Sequence, residues 1–575
     1  MSFLQPAAPP FDLDEWKREP YLTRLKANCQ DWAVNGFGTP GVVFLLYFVK
    51  LVLFLFLAAL VISASTPGIG GLGDISDWWT EPIVFQKVVV WLLLWEVIGL
   101  GCGSMPLTFR FLPPIGGILY WLRPGTVRLP PWPDKVPFTR GTRRSVVDVA
   151  LYAGVLASAV YLLFWDGSRL DPTAIAVLLG FLVLLGLRDK VSYLAARPEI
   201  YVPFLVIFLF PIHNMIVASQ FVFLCIWLGA ASSKLNRHFP YVVSVMISNT
   251  PWNRSRKAKA RLYENHPEDL RPSRQAAFAA HFGTVIEFVL PILLFVTSKG
   301  PLGWFAVVGM IIFHVHITST FPLAVPLEWN LFMIFGILFL FGHYGDVPLS
   351  TLDNPLLIAF LLVSGVLVPI IGNFWPDKVS FLPAMRYYAG NWATSQWLFH
   401  KDSGAEEKLD SGIHAPARVV VEQLTKVYDR DTAELFLGKG LAFRSMHSHG
   451  RALNGLVSRA VDDLEAYHVR EGELISGVVN GWNFGDGHLH NQQLLEAVQE
   501  RCGFAEGELR IVTLESQPAH IQRQRYRIYD AASGLIEEGW VNVADMVARG
   551  PWLDESGDFP VQVTVERPHP VGTAS

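Results

Sequence analysis

A series of apolar runs, each close to the length needed to cross a bilayer as a helix, limits this chain more than any other feature. A span takes about 20 mostly apolar residues. Runs bounded by Pro, Gly or charge lie at 40–64, 83–103, 146–165, 172–187, 277–297, 302–325, 329–341 and 356–374. The stretch 200–235 is too long for one straight helix and holds Pro203, Pro211, His213 and Asn214 in its first half. It reads as two short spans, or as one span with a re-entrant piece. The composition agrees: 51% hydrophobic and 17% charged residues in 575 positions is more apolar than a soluble chain. A net charge of -4 gives no footprint for nucleic acid. The expected partners are therefore membrane lipids and other membrane proteins. Cys29, Cys102, Cys225 and Cys502 form neither a disulfide framework nor a CxxC spacing.

Lys and Arg collect in cytoplasmic loops. Residues 110–144 carry seven basic side chains, and 236–275 carry Arg254, Arg256, Lys257, Lys259 and Arg261. By contrast, 66–82 has no Lys or Arg, and 342–355 has only Asp346 and Asp353 as charges. Threading the chain through these constraints predicts about ten spans in a cell membrane, with both termini in the cytoplasm. The N-terminal segment 1–39 is amphipathic and lacks the pattern of a signal peptide.

Ionisable residues within apolar spans are costly and need partners. At about 1.5 Å rise per residue, Lys50 and Glu96 come to similar depths, which predicts a buried ion pair between neighbouring helices. Glu287 and His314 reach matching depths on successive spans. His316 cannot join His314 on one ion, because helix residues two apart point about 200° apart. Lys234 ends a small-residue helix, either as a snorkelling anchor or as a base with a lowered pKa. A catalytic reading assigns Lys234, Glu287 and His314 to one polar cavity.

The segment Gly229-Ala-Ala-Ser-Ser-Lys-Leu-Asn236, then Ile286-Glu-Phe-Val-Leu-Pro291 and the His314 helix with Phe321-Pro322, resembles the membrane domain shared by vitamin K-dependent gamma-carboxylase and its bacterial HTTM relatives. The resemblance covers 201–341 and implies that Lys234 is the catalytic base. In the carboxylase that lysine serves a lumenal reaction, whereas the basic stretch after Lys234 argues here for the cytoplasmic side. The whole chain, with Arg386-Tyr-Tyr-Ala-Gly-Asn-Trp392 and Gly481-Trp-Asn-Phe-Gly-Asp-Gly-His-Leu-His490, is similar to an actinobacterial family of uncharacterised transmembrane proteins.

After the polytopic α-helical membrane domain (40–374), an interfacial segment and charged linker (375–416) lead to a soluble α+β domain (417–575). Periodicity predicts helices at 418–437, 455–467 and 492–502, and strands at 510–514, 525–529 and 536–543, with Ala531-Ala-Ser-Gly534 as a hairpin turn. His447, His449, His488 and His490 with Asp486 are candidate metal ligands, or else a polar docking surface. No nucleotide motif is present. Three functions follow: an enzyme acting on a lipid or isoprenoid quinone, a lipid transporter or accessory subunit of a cell-envelope lipid-handling complex, and a transmembrane scaffold or sensor.

Overall fold

The computed structural model describes residues 3–101, 117–297, 299–320, 326–413, 420–553 and 558–566. Cys102, Phe321, Pro322 and His414 lie outside them, as do most of the basic stretch before Ile118 and the ends of two expected spans.

A helix at Tyr21–Asn35 (α1) precedes the membrane region. There follow α2 (Gly41–Ser65), α3 (Pro82–Val97), α4 (Val146–Leu163), α5 (Pro172–Arg188), α6 (Pro198–Leu209), α7 (Met215–Ser233) and α8 (Phe239–Ser248). After a hairpin of β1 (Tyr263–Asn265) and β2 (Asp269–Pro272) come α9 (Arg274–Val296), α10 (Pro301–Thr320), α11 (Leu327–Gly336, extended to His343) and α12 (Pro355–Phe374). Local chemistry sets the starts. Pro occupies a first-turn position of α3, α5, α6 and α8, where its missing N–H costs nothing. Asp171, Ser273 and Ser145 cap the N–H groups of α5, α9 and α4, the last as a reciprocal capping box with Asp148.

Among the described residues, six helices are long and apolar enough to cross a membrane: α2, α4, α7 with its preceding turn, α9, α10 and α12. Shorter apolar helices are α5, α6, α8 and α11 with its extension. The 200–235 stretch breaks at Phe210-Pro211, so α6 and α7 form a hairpin. Proline removes an N–H and disfavours helix in the residue before it. The outer face of α2 exposes Phe44, Phe48, Val52 and Phe56, a surface that needs lipid around it.

The C-terminal part is α+β. Its antiparallel sheet runs β4-β3-β5-β6-β7-β8, where β3 is Thr394–His400, β4 Tyr467–Glu471, β5 Leu509–Leu514, β6 Arg523–Asp530, β7 Gly534–Asn542 and β8 Gln562–Glu566. The expected strands and the hairpin at Ala531 to Gly534 are present. Thr394–His400, read from sequence as aromatic interface, is instead an inner strand and buried nearly throughout. The expected linker is helical at Ala405–Ile413 (α13), and the first expected helix is broken, with its longer part at Arg430–Met446 (α14). Two further helices, α15 (Ser448–Ala460) and α16 (Gln492–Cys502), flank the sheet.

This region is not tethered loosely. One apolar cluster runs from Phe85 of α3 and Phe204 of α6 to Trp482 and Leu494. Polar contacts join the two parts: Trp121 Nε1 donates to the Asn480 carbonyl at 3.0 Å, and Lys190 Nζ to the His488 carbonyl at 2.9 Å. On the other side Asp31 of α1 meets Lys439 of α14 at 2.6 Å, both buried.

Candidate functional site

The helices α7, α8, α9, α10 and α11 enclose a cavity of about 710 Å³. Helical periodicity makes its walls. From α8 come Phe239, Val242, Met246 and their neighbours at i+4 spacing, and from α9 the stripe Ala279, Phe282, Ile286 and Leu290. Tyr387, Tyr388 and Phe484, which follow the membrane helices in sequence, close another side. Phe282, Phe305 and Ile312 line the cavity yet are more than half exposed, so it opens sideways between α9 and α10.

All three residues of the sequence-derived polar patch line this space. Lys234 caps the end of α7, and its Nζ meets Glu287 Oε2 of α9 at 2.5 Å, with the two side chains 9% and 4% exposed. The ammonium also lies 5.5 Å from the Phe239 ring centroid, which favours a cation. Lys234 is therefore not a snorkelling anchor but one half of an ion pair in an otherwise apolar cavity.

His314 does not touch Glu287 in any contact the structure shows. Trp227 Nε1 donates to its Nε2 at 3.0 Å, and its Nδ1 is 2.7 Å from Asn330 Oδ1. Indole N–H only donates, so Nε2 must accept and the ring proton sits on Nδ1, donating to Asn330. The Asn330 amide is oriented in turn by donating to the Pro326 carbonyl at 2.7 Å. His314 is a neutral post in the cavity wall. His316 also lines the cavity but shares none of these partners, and its ring lies 6.1 Å from that of Trp252. Sequence reasoning missed Trp227 and Asn330. Asn330 within an apolar run was the available signal, whereas Trp227 gave none.

A second buried group abuts the cavity. Arg197, in the left-handed region at φ 51°, forms an ion pair with Glu199 at 2.7 Å and stacks 4.2 Å over Trp329. Tyr387 donates to the same Glu199 carboxylate at 3.2 Å. Trp329 and Tyr387 are both wall residues, so this cluster fixes the side of the cavity nearest the C-terminal part.

The expected Lys50–Glu96 pair is replaced by another. Lys50 meets Glu328 at 2.8 Å, and Trp95 Nε1 donates to the same carboxylate. Glu96 faces Gly101 instead, where an added Cβ would fall 2.0 Å from its Oε2. Depth from sequence matches residues along the membrane normal but says nothing of which way each points around its helix.

The C-terminal histidines do not converge. His488 Nδ1 lies 3.2 Å from Asp486 and Nε2 3.0 Å from Glu515. Burial alone would lower its pKa, but Glu515 and Asp486 override this and push it up to about 10. The resulting imidazolium has no lone pair to offer a metal. His447 donates from Nδ1 to the Phe443 carbonyl at 2.7 Å, and His490 pairs with Ser395 at 2.6 Å. Burial, aided by the Arg444 charge, lowers both to about 3. His449 is lowered for the same reasons and accepts from Arg444. Among the described residues, no group of three or more His, Cys, Asp or Glu side chains is placed to hold a metal ion.

A family model described as transmembrane protein of unknown function (DUF3556) matches residues 1–564. No curated protein and no solved structure matches the chain.

Proposed function

The chain belongs to this family of transmembrane proteins of unknown function, an integral membrane protein, and we propose from its cavity that it holds a long-chain amphiphile, a lipid or isoprenoid quinone. One observation carries the reading: a cavity of about 710 Å³, apolar apart from one ion pair and a few fixed polar groups, opening sideways where the wall residues Phe282, Phe305 and Ile312 are exposed. Such a volume is in the range of ligand sites. An acyl or prenyl chain entering from the bilayer meets mostly apolar side chains, with the Lys234–Glu287 pair set into the wall. A scaffold with a closely packed interior fits this less well. The topology we propose has ten spans, formed by α2 to α7 and α9 to α12, with both termini in the cytoplasm. α8, at ten residues or about 15 Å the shortest of the apolar helices, is left out, which keeps the basic stretch after Lys234 on one side.

The Lys234–Glu287 pair favours a second reading, an enzyme acting on the same amphiphile. In the pair Lys234 is the acid and Glu287 the base. The base role that the carboxylase resemblance gives Lys234 requires its proton to pass first to Glu287. Without turnover, the protein serves as a transporter or as an accessory subunit presenting the lipid to partner membrane proteins.

The test uses Gly283, which lines the cavity and whose added Cβ would meet nothing within 4 Å. Gly283→Phe grows into empty space without displacing the helix. Native mass spectrometry of the detergent-purified chain should show a retained lipid or quinone that Gly283→Phe loses at an unchanged thermal midpoint. Equal retention by both proteins would overturn the reading.

A further inference from the structure

The wall of the cavity does not end in apolar residues. On α9 the stripe Ala279, Phe282, Ile286 and Leu290 continues one turn toward the N-terminus to Gln275, about 6 Å from Ala279 along the axis. Gln275 lines a second pocket, open and polar, of about 470 Å³. Arg261 and Arg274 stand on its rim, both exposed and neither in an ion pair among the described residues. One carboxylate shares that rim, Glu264, whose charge also acts on Arg271. His266 is engaged with the Gln30 carbonyl at 3.3 Å. The pocket is therefore cationic where the cavity is apolar, and a single helix face runs through both.

Trp252 marks the level at which this change of polarity occurs. It is 61% exposed, its Nε1 donates to Ser319 of α10 at 2.9 Å, and its ring packs on His316, a wall residue of the cavity. Tryptophans with an apolar body and a wet edge sit at the headgroup level of bilayers. Arg254, Arg256 and Lys257 follow it, all exposed. Arg256 is held by Asn35 at 3.0 Å. Basic clusters beside a span attract anionic headgroups.

We propose that the two pockets form one site for a phosphate-bearing lipid, with its chain in the cavity and its headgroup phosphate between Arg261 and Arg274. This rests on the reading that the cavity holds an amphiphile, and it adds the chemistry of the headgroup. Guanidinium groups suit phosphate because their planar donors bind two oxygens at once. Neutral lipids of equal chain length fill the cavity but leave the arginines without a partner.

The test titrates the full chain in neutral detergent with dioleoyl phosphatidate, dioleoylglycerol and inorganic phosphate, read by native mass spectrometry. The native protein should bind phosphatidate about 30-fold more tightly than dioleoylglycerol, the factor two headgroup-level cations supply. The double variant Arg261→Gln/Arg274→Gln should lose that preference while keeping its affinity for dioleoylglycerol, and Arg261→Lys/Arg274→Lys should keep most of it. Equal affinities in the native protein, or a preference that survives the Gln substitutions, would overturn the headgroup site and leave the cavity reading standing. Inorganic phosphate bound as tightly as phosphatidate would overturn it too, since the chain would then contribute nothing. Failure to bind either lipid would remove the cavity reading and this one with it.

Discussion

Lys50 of α2 and Glu328 of α11 form a 2.8 Å ion pair, although 278 positions separate them in sequence (328 less 50), with the carboxylate fully buried and the ammonium stem 17% exposed. Trp95 of α3 donates to the same carboxylate, so three helices meet at one acid.

Removing one partner of that pair strands the other. Lys50→Met or Glu328→Leu alone should destabilise the protein by about 3–5 kcal/mol, while the two together should recover much of the loss. A double-mutant cycle on unfolding in detergent measures the coupling. The same cycle between Lys50 and Glu96 should be additive. Strong coupling there, with none at Glu328, would refute the assignment.

His314 should behave as a wall residue. His314→Ala leaves the Trp227 N–H and the Asn330 oxygen without their partner, at a cost of about 1–3 kcal/mol for each stranded group. Thermal unfolding should show a clear drop for His314→Ala and a smaller one for Trp227→Phe, which removes a donor and leaves only one lone pair unused. Full stability of His314→Ala with loss of lipid retention would make the ring a ligand contact instead.

The sequence reading and the structure part company in an orderly way. Helices such as α2 and α9 were legible because a bilayer demands about 20 apolar residues in a row. Lys234, Glu287 and His314 were legible because charge or polarity within such a run is rare. What one residue touches was not. Glu328 sits beside Trp329 at the start of a helix, just outside the apolar run, and only the packing of α2 and α3 against α11 turns it inward. Thr394–His400 was lost for a similar reason. Its period-2 pattern is erased because both of its faces are buried, and its partners β4 and β5 lie about 70 and 115 residues on. The histidine clusters misled because HxH spacing says nothing about acids brought in from elsewhere, as Glu515 is brought to His488.

That last contact sets a pH dependence. His488 is held at about 10, above the ordinary 6.5, so its stabilisation is complete below 6.5 and is lost as pH rises toward 10. His447 and His490 are depressed to about 3, so the native state resists protons that the unfolded chain accepts, and stability is lost as pH falls from 6.5 toward 3. Lys190, which burial depresses to about 8, acts in the opposite sense to His488, but only above pH 8. Between 6.5 and 8 His488 loses stabilisation before Lys190 begins to act, and the difference between the native chain and His488→Gln reads its part. The thermal midpoint of the purified protein should peak near pH 6.5, fall on the acid side, and fall again between 6.5 and 8. His488→Gln should flatten the limb from 6.5 to 8 and leave the acid limb in place. A native midpoint that is level from 6.5 to 8, or a slope there that His488→Gln does not change, would show that Asp486 and Glu515 do not hold a charged imidazole.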